Sequence, residues 1–260
     1  DEEENFGGYS QLNMSYRKNG LELGAYAFGA RQYQPDNKDL QQKTYLEKTW
    51  NQKSEISQVG IVEAMNFRLD ASYQLDANNS IGANFGFLRN PKQTWNGDMS
   101  SSILQDEELS EKSDSHADFF WQKNNLSSNI YYVGKIGKLS IDFNTDWLWS
   151  KEYQNDVTKE QYQEVGMNAQ GQTAHSLTNK DYHLLASKLV LSYPLLGGNM
   201  SLGGEYSNTH RTSKYQVVPT NLVSDDNSRI TESMTSSFLT YSRDFGNLSL
   251  EAGMRYEYID

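Results

Sequence analysis

The chain has no cysteine among its 260 residues. Disulfide stapling is thereby excluded, which suits a Gram-negative envelope protein and a cytosolic one equally. No run of 18 apolar residues occurs, and that excludes a transmembrane helix. Basic residues are the minority: 23 Lys and Arg against 34 Asp and Glu give a net charge of −11. Phosphate recognition needs basic patches, so nucleic acid is not an expected partner.

Catalytic and metal-binding patterns are missing too. His116, His175, His183 and His210 are scattered, with no His-x-x-x-His or His-Glu-x-x-His spacing. Neither a Gly-x-Ser-x-Gly elbow nor a Gly-x-x-x-x-Gly-Lys phosphate loop is present. The expectation is a protein without cofactor that is not an enzyme. A hydrolase with residues dispersed along the chain is the one catalytic reading the motifs leave open. Asp1-Glu2-Glu3-Glu4 offers no charged n-region and no apolar h-region, so no signal peptide is expected here, through cleavage or because the chain is a fragment.

What the chain does have is alternation. Met65-Asn66-Phe67-Arg68-Leu69-Asp70-Ala71-Ser72-Tyr73-Gln74-Leu75 is apolar or aromatic at every odd position and polar at every even one. Period 2 over eleven residues means a β-strand with one apolar and one wet face. That length also suffices for a tilted strand to cross a bilayer. Apolar residues make up only 36% of the chain, low for a soluble domain with a full core. The 17 Tyr, 10 Phe and 5 Trp fall at strand ends as well as strand middles, as aromatic girdles would require, although a soluble sandwich also favours them.

Five hairpins follow. The first pairs Ser10–Arg17 with Leu21–Tyr33 across Lys18-Asn19-Gly20, where Asn-Gly supplies positive φ. In its second strand Leu21, Leu23 and Ala25 compete with Tyr26 and Phe28 for the apolar face, so that register stays open. The others are Met65–Leu75 with Ile81–Leu88, Leu126–Lys135 with Leu139–Trp149, His183–Tyr193 with Met200–Tyr206, and Thr235–Arg243 with Leu248–Tyr258. The fourth is expected to turn over Pro194–Asn199. Polar segments of roughly residues 34–62, 89–125, 150–181 and 207–232 separate the pairs, all on one side of the sheet. They read as long loops that extend their strands before turning, and short turns opposite long loops is the layout of an outer-membrane barrel. A sandwich spreads its turns more evenly between its two ends.

With short turns in the periplasm, the first strand starts outside and the last finishes outside. An even-stranded barrel normally keeps both ends in the periplasm. The expectation is an internal piece of a larger barrel, with a complete ten-strand protein of unusual topology as the alternative. Unpaired edges of such a piece invite closure or self-association.

The segment Gly253-Met254-Arg255-Tyr256-Glu257-Tyr258, within the hairpin Tyr241–Tyr258, resembles the strand ends of TonB-dependent receptor barrels of Bacteroidetes, the outer membrane protein β-barrel family. Tyr193-Pro194-Leu195 followed by Leu202-Gly203-Gly204-Glu205-Tyr206-Ser207 resembles another block of that family. The resemblance implies an all-β, antiparallel, up-and-down transmembrane barrel of about 22 strands. Residues 1–260 would then be a single partial barrel domain of about ten strands, without plug or TonB box. It further implies nutrient import, a plug domain, the TonB energy-transducing complex and outer-membrane lipid as partners.

Lumen-facing positions are expected at Asn66, Arg68, Asp70, Asn84, Asp142, Asn144, Asp146, Glu205, Arg255 and Glu257. They read either as a ligand path or plug contact, or as a hydrated wall with cross-strand ion pairs. Trp50 and Trp95 are weak ligand candidates in the loops, which interfacial packing explains equally well. Asp36-Asn37-Lys38-Asp39 and Asp225-Asp226 read as solvated loop charge rather than calcium loops, because the central Gly and distal Glu are absent. Two further readings are a structural or adhesive barrel that presents its loops to a partner, and a soluble β-sandwich with its apolar faces buried against a second sheet.

Overall fold

A computed structural model describes residues 6–219 and 223–260. Asp1–Glu4, read above for leader features, lie outside the described residues. Among the described residues, ten strands form one antiparallel sheet in strict chain order: β1 (Gly8–Lys18), β2 (Leu21–Tyr45), β3 (Thr49–Asp76), β4 (Asn79–Gln105), β5 (Glu108–Ile136), β6 (Leu139–Glu164), β7 (Gln170–Leu195), β8 (Gly198–Val218), β9 (Asp226–Phe245) and β10 (Leu248–Ile259). β1 and β10 do not pair with each other, so the sheet is open.

The short turns are tighter than the sequence suggested. Asn19 and Gly20 have φ of 50° and 81°, the pair of positive values that matches a hairpin's twist. The fourth hairpin turns on Leu196-Gly197 alone, with Leu195 already paired to Gly198, so the Pro194–Asn199 span shrinks to two residues. At Ala77-Asn78, Asp76 Oδ1 accepts the Asn78 amide at 2.7 Å and pins the turn.

The four long polar segments extend their strands before turning, as expected, and strand takes up most of each. β2 continues to Tyr45, β5 starts at Glu108, and three of the connections shrink to residues 46–48, 106–107 and 165–169, while β8 runs to Val218 and β9 starts at Asp226. At about 3.3 Å per residue, the 29 residues of β5 run roughly 95 Å. A bilayer crossing uses only about ten of them. These extensions keep their backbone ladders but lose the apolar/polar alternation, because neither face there needs to be greasy.

One irregularity reorients a strand. Asn90 pairs with Lys123 and Gln93 with Trp121, while on the other side Met65 pairs with Arg89 and Val62 with Gln93. β4 thus carries an extra residue at Asn90-Pro91-Lys92, where Pro91's missing donor is cheapest. The bulge exchanges the faces of odd and even positions in β4 beyond it.

Among the described residues nothing covers this sheet. Val217, at 3% exposure, is the buried hydrophobic among the described residues, whereas Leu69 and Ile81 are each 43% exposed. The accessible surface is 17760 Å², against about 11,600 Å² for a compact protein of this mass. The sandwich expectation is overturned: no second sheet is present among the described residues, and the apolar face is unburied.

Candidate functional site

Cross-strand register sorts the side chains into two faces. Ala27, Phe67, Phe87, Leu126 and Trp149 lie opposite one another in a single row, and so do Ala25, Leu69 and Phe85. The row places Leu21, Leu23, Ala25 and Ala27 on this apolar face, which resolves the open register of β2 and sends Tyr26 and Phe28 to the other side. A groove of about 640 Å³ crosses it, floored by Ala25, Ala71 and Ala83.

All ten residues from Asn66 to Glu257 named above share the opposite, polar face. Asp70 pairs with Asn84, Asn84 with Asn129, and Asn129 with Asp146; Asn144 pairs with Lys188, and Lys188 with Glu205. Three groups of contacts form. Arg68 donates from Nε to Asp70 Oδ1 at 3.0 Å. Asn129 donates from Nδ2 to Asn144 Oδ1 at 2.9 Å and to Asp146 Oδ1 at 2.7 Å. Glu205 receives Lys188 at 2.8 Å on one oxygen and Arg255 at 2.6 Å on the other, while Arg255 also binds Glu257. The Phe238 ring lies under both cations, 5.6 Å from Lys188 Nζ and 6.0 Å from the Arg255 guanidinium. It fits there because Gly203 opposite has no Cβ; one would strike the ring.

Beyond the bulge the same face changes character. Gly60, Trp95, Phe119, Asp156 and Ser176 form one row, and Val62, Gln93, Trp121, Gln154 and Thr178 the next. A Cβ on Gly60 would come within 2.8 Å of the Trp95 ring, so the indole lies flat against that glycine. Asp156 Oδ2 accepts Gln154 Nε2 at 2.7 Å and Ser176 Oγ at 3.4 Å. Its Oδ1 is buried without a hydrogen-bond partner. Burial holds the Asp156 carboxyl above its ordinary pKa, with the Gln154 and Ser176 hydrogen bonds pulling the other way.

Trp50 and Trp95 are thus strand residues of β3 and β4, not loop residues. They share a face but sit about 33 Å apart along the strands, since Trp95 faces Gly60. Asp36 and Lys38 alternate with Asn37 and Asp39 across β2, so the segment is not a loop. Lys38 and Gln58 both hydrogen-bond Asp36 and keep its pKa below the usual value. Asp225 caps the Val217 amide at 3.1 Å. Among the described residues no three metal-ligating side chains meet, although His183 and His210 pair across β7 and β8 on the apolar side. Phe119, Trp121 and Asp156 escaped the sequence reading because their segment was taken for loop. The signal was Asn90-Pro91, a breaker inside a strand pattern.

Residues 133–260, just under half of the chain, match the model of the outer membrane protein beta-barrel family. This stretch resembles the barrels of that family. It spans the end of β5 and all of β6–β10, and it places the chain in the Gram-negative outer membrane. No curated protein matches in sequence. Among solved structures, the ferric preacinetobactin receptor BauA of Acinetobacter baumannii aligns with 91% of this chain and 44% of its own, at 9% identity and TM-score 0.33. The siderophore receptor PiuA of the same species aligns with 90% of this chain and 46% of its own, at 7% identity and TM-score 0.32. The ferric yersiniabactin uptake receptor FyuA of Yersinia pestis aligns with 97% and 53%, at 12% identity and TM-score 0.32. The chain spans less than half the length of the first two receptors.

Proposed function

We propose that this chain forms part of the wall of a TonB-dependent outer-membrane receptor that imports a nutrient. The polar face lines the lumen, and the long hairpins carry the ligand contacts outside the membrane. The observation that carries the reading is the polar face itself: charged and amide side chains continue from Arg68 to Glu257 across eight strands while the reverse face is apolar. A water-filled or plug-filled interior is the setting that suits both faces at once. Further strands pairing with β1 and β10 would complete the barrel, and a plug and the TonB complex would supply gating and energy. Asn144, between Lys188 and the Asn129 network, then faces the plug.

A photo-crosslinking residue at Asn144 tests this in cells. Import predicts a crosslink to a plug segment whose yield changes when a protonophore collapses the membrane energy. A yield indifferent to the protonophore, or no plug crosslink, would instead mark a barrel that displays its hairpins to a partner, a reading that their length also suits.

A further inference from the structure

The strongest unexplained feature on the polar face is Asp156. One of its oxygens is satisfied by Gln154 and Ser176, but Oδ1 is withdrawn from solvent with no donor. A desolvated carboxylate oxygen left unpaired is costly, and the cost is recovered when a donor or a cation arrives. Its surroundings select between these. Phe119 stands directly across the strand from Asp156, Trp121 sits diagonally, and Trp95 lies across from Phe119. Such pairs stand about 4.5–8 Å apart. Ring faces carry negative potential and attract cations, as the carboxylate does. The nearest cationic residues of this face, Lys123 and Lys180, lie two rows from Asp156, both opposite Glu152, and Lys180 is bound to it at 2.9 Å. The net charge of −11 adds a long-range field of the same sign.

We propose that Phe119, Trp121 and Asp156 form a binding site for the ammonium or other organic-cation group of a ligand. The site rests on the import reading for its purpose, since it lies on the proposed lumen face outside the membrane. Its binding chemistry does not depend on transport. Phe119 and Trp121 supply the ring faces, and the Asp156 carboxylate supplies the charge.

The test uses the protein in detergent micelles, titrated with choline chloride and with 3,3-dimethylbutan-1-ol, its uncharged carbon isostere, while indole emission is followed. Choline should give a saturable change, and the alcohol should bind weaker by about tenfold or more. Asp156→Asn and Trp121→Leu should each weaken choline by a similar factor. Asp114→Asn, on the opposite face and hydrogen-bonded to Ser100 at 2.6 Å, should change nothing. Circular dichroism confirms that each variant folds, and the two independent variants guard against one that does not. Equal binding of choline and the alcohol, unchanged binding in Asp156→Asn, or no choline binding at all overturns the site. Choline binding without an energy-dependent plug crosslink keeps the site and removes import; the reverse result keeps import and removes the site.

Discussion

Asp156 and Glu205 are two carboxylates on one face with opposite circumstances. Glu205 is fully engaged by Lys188 and Arg255 over the Phe238 ring, whereas Asp156 keeps an orphaned oxygen. Glu205→Gln should leave two cations without their shared partner and lower unfolding stability by about 1 kcal/mol. Chemical denaturation in detergent reads this directly. For Asp156 the sign runs the other way. Its folded pKa is raised by burial, so the folded chain holds that proton more tightly than the unfolded one. Its contribution therefore turns unfavourable as pH rises from about 3.8 through the folded value. Asp156→Asn should raise the melting temperature near neutral pH and lose that advantage in acid; a pH-independent difference would sink the assignment. Asp76, held below its ordinary value by the Asn78 amide and the Asn79 side chain, behaves conversely. Its stabilising contribution is present above about 3.8 and disappears as pH falls through the folded value.

The elements show why part of this fold was readable and part was not. Along Met65–Leu75 the apolar side chains share one face and the polar ones the other, so the alternation marks strand and face together. Above Pro91 the backbone ladder continues, but both faces are wet, so the pattern vanishes while the strand persists. Hydrophobic alternation reports burial, and only through burial does it report strand. The same blindness hid Trp121 and Asp156, and the β4 bulge moved Trp95 to the face of Asn84 against simple odd-even counting. The far end of one hairpin closes on Asp106-Glu107, with φ of 48° and 72° at two residues that carry a Cβ. Left-handed backbone disfavours Glu there, whereas Asp-Gly suits such a turn. Glu107→Gly should stabilise the protein by about 0.5–1 kcal/mol, read from the denaturation midpoint. A loss of stability would mean that Glu107 makes a contact worth more than the strain.

At the scale of the whole molecule, the sheet has one apolar and one polar face, and both are open. Every residue of β1 and β10 is exposed, and both edges carry unpaired backbone groups. Such edges seek partner strands, by closure or from further chain. The apolar face demands cover of its own, so the purified protein should scatter light as aggregate in plain buffer and become monodisperse in mild detergent. The most direct test of the two-face account compares adjacent residues of β6. Phe143 lies on the apolar row with Tyr132 and Leu189, and Asn144 on the polar row with Tyr131 and Lys188. Folding into lipid vesicles should cost Phe143→Arg about 2–4 kcal/mol and leave Asn144→Arg close to wild type. Equal costs at the two positions, or a larger one at Asn144, would contradict the account.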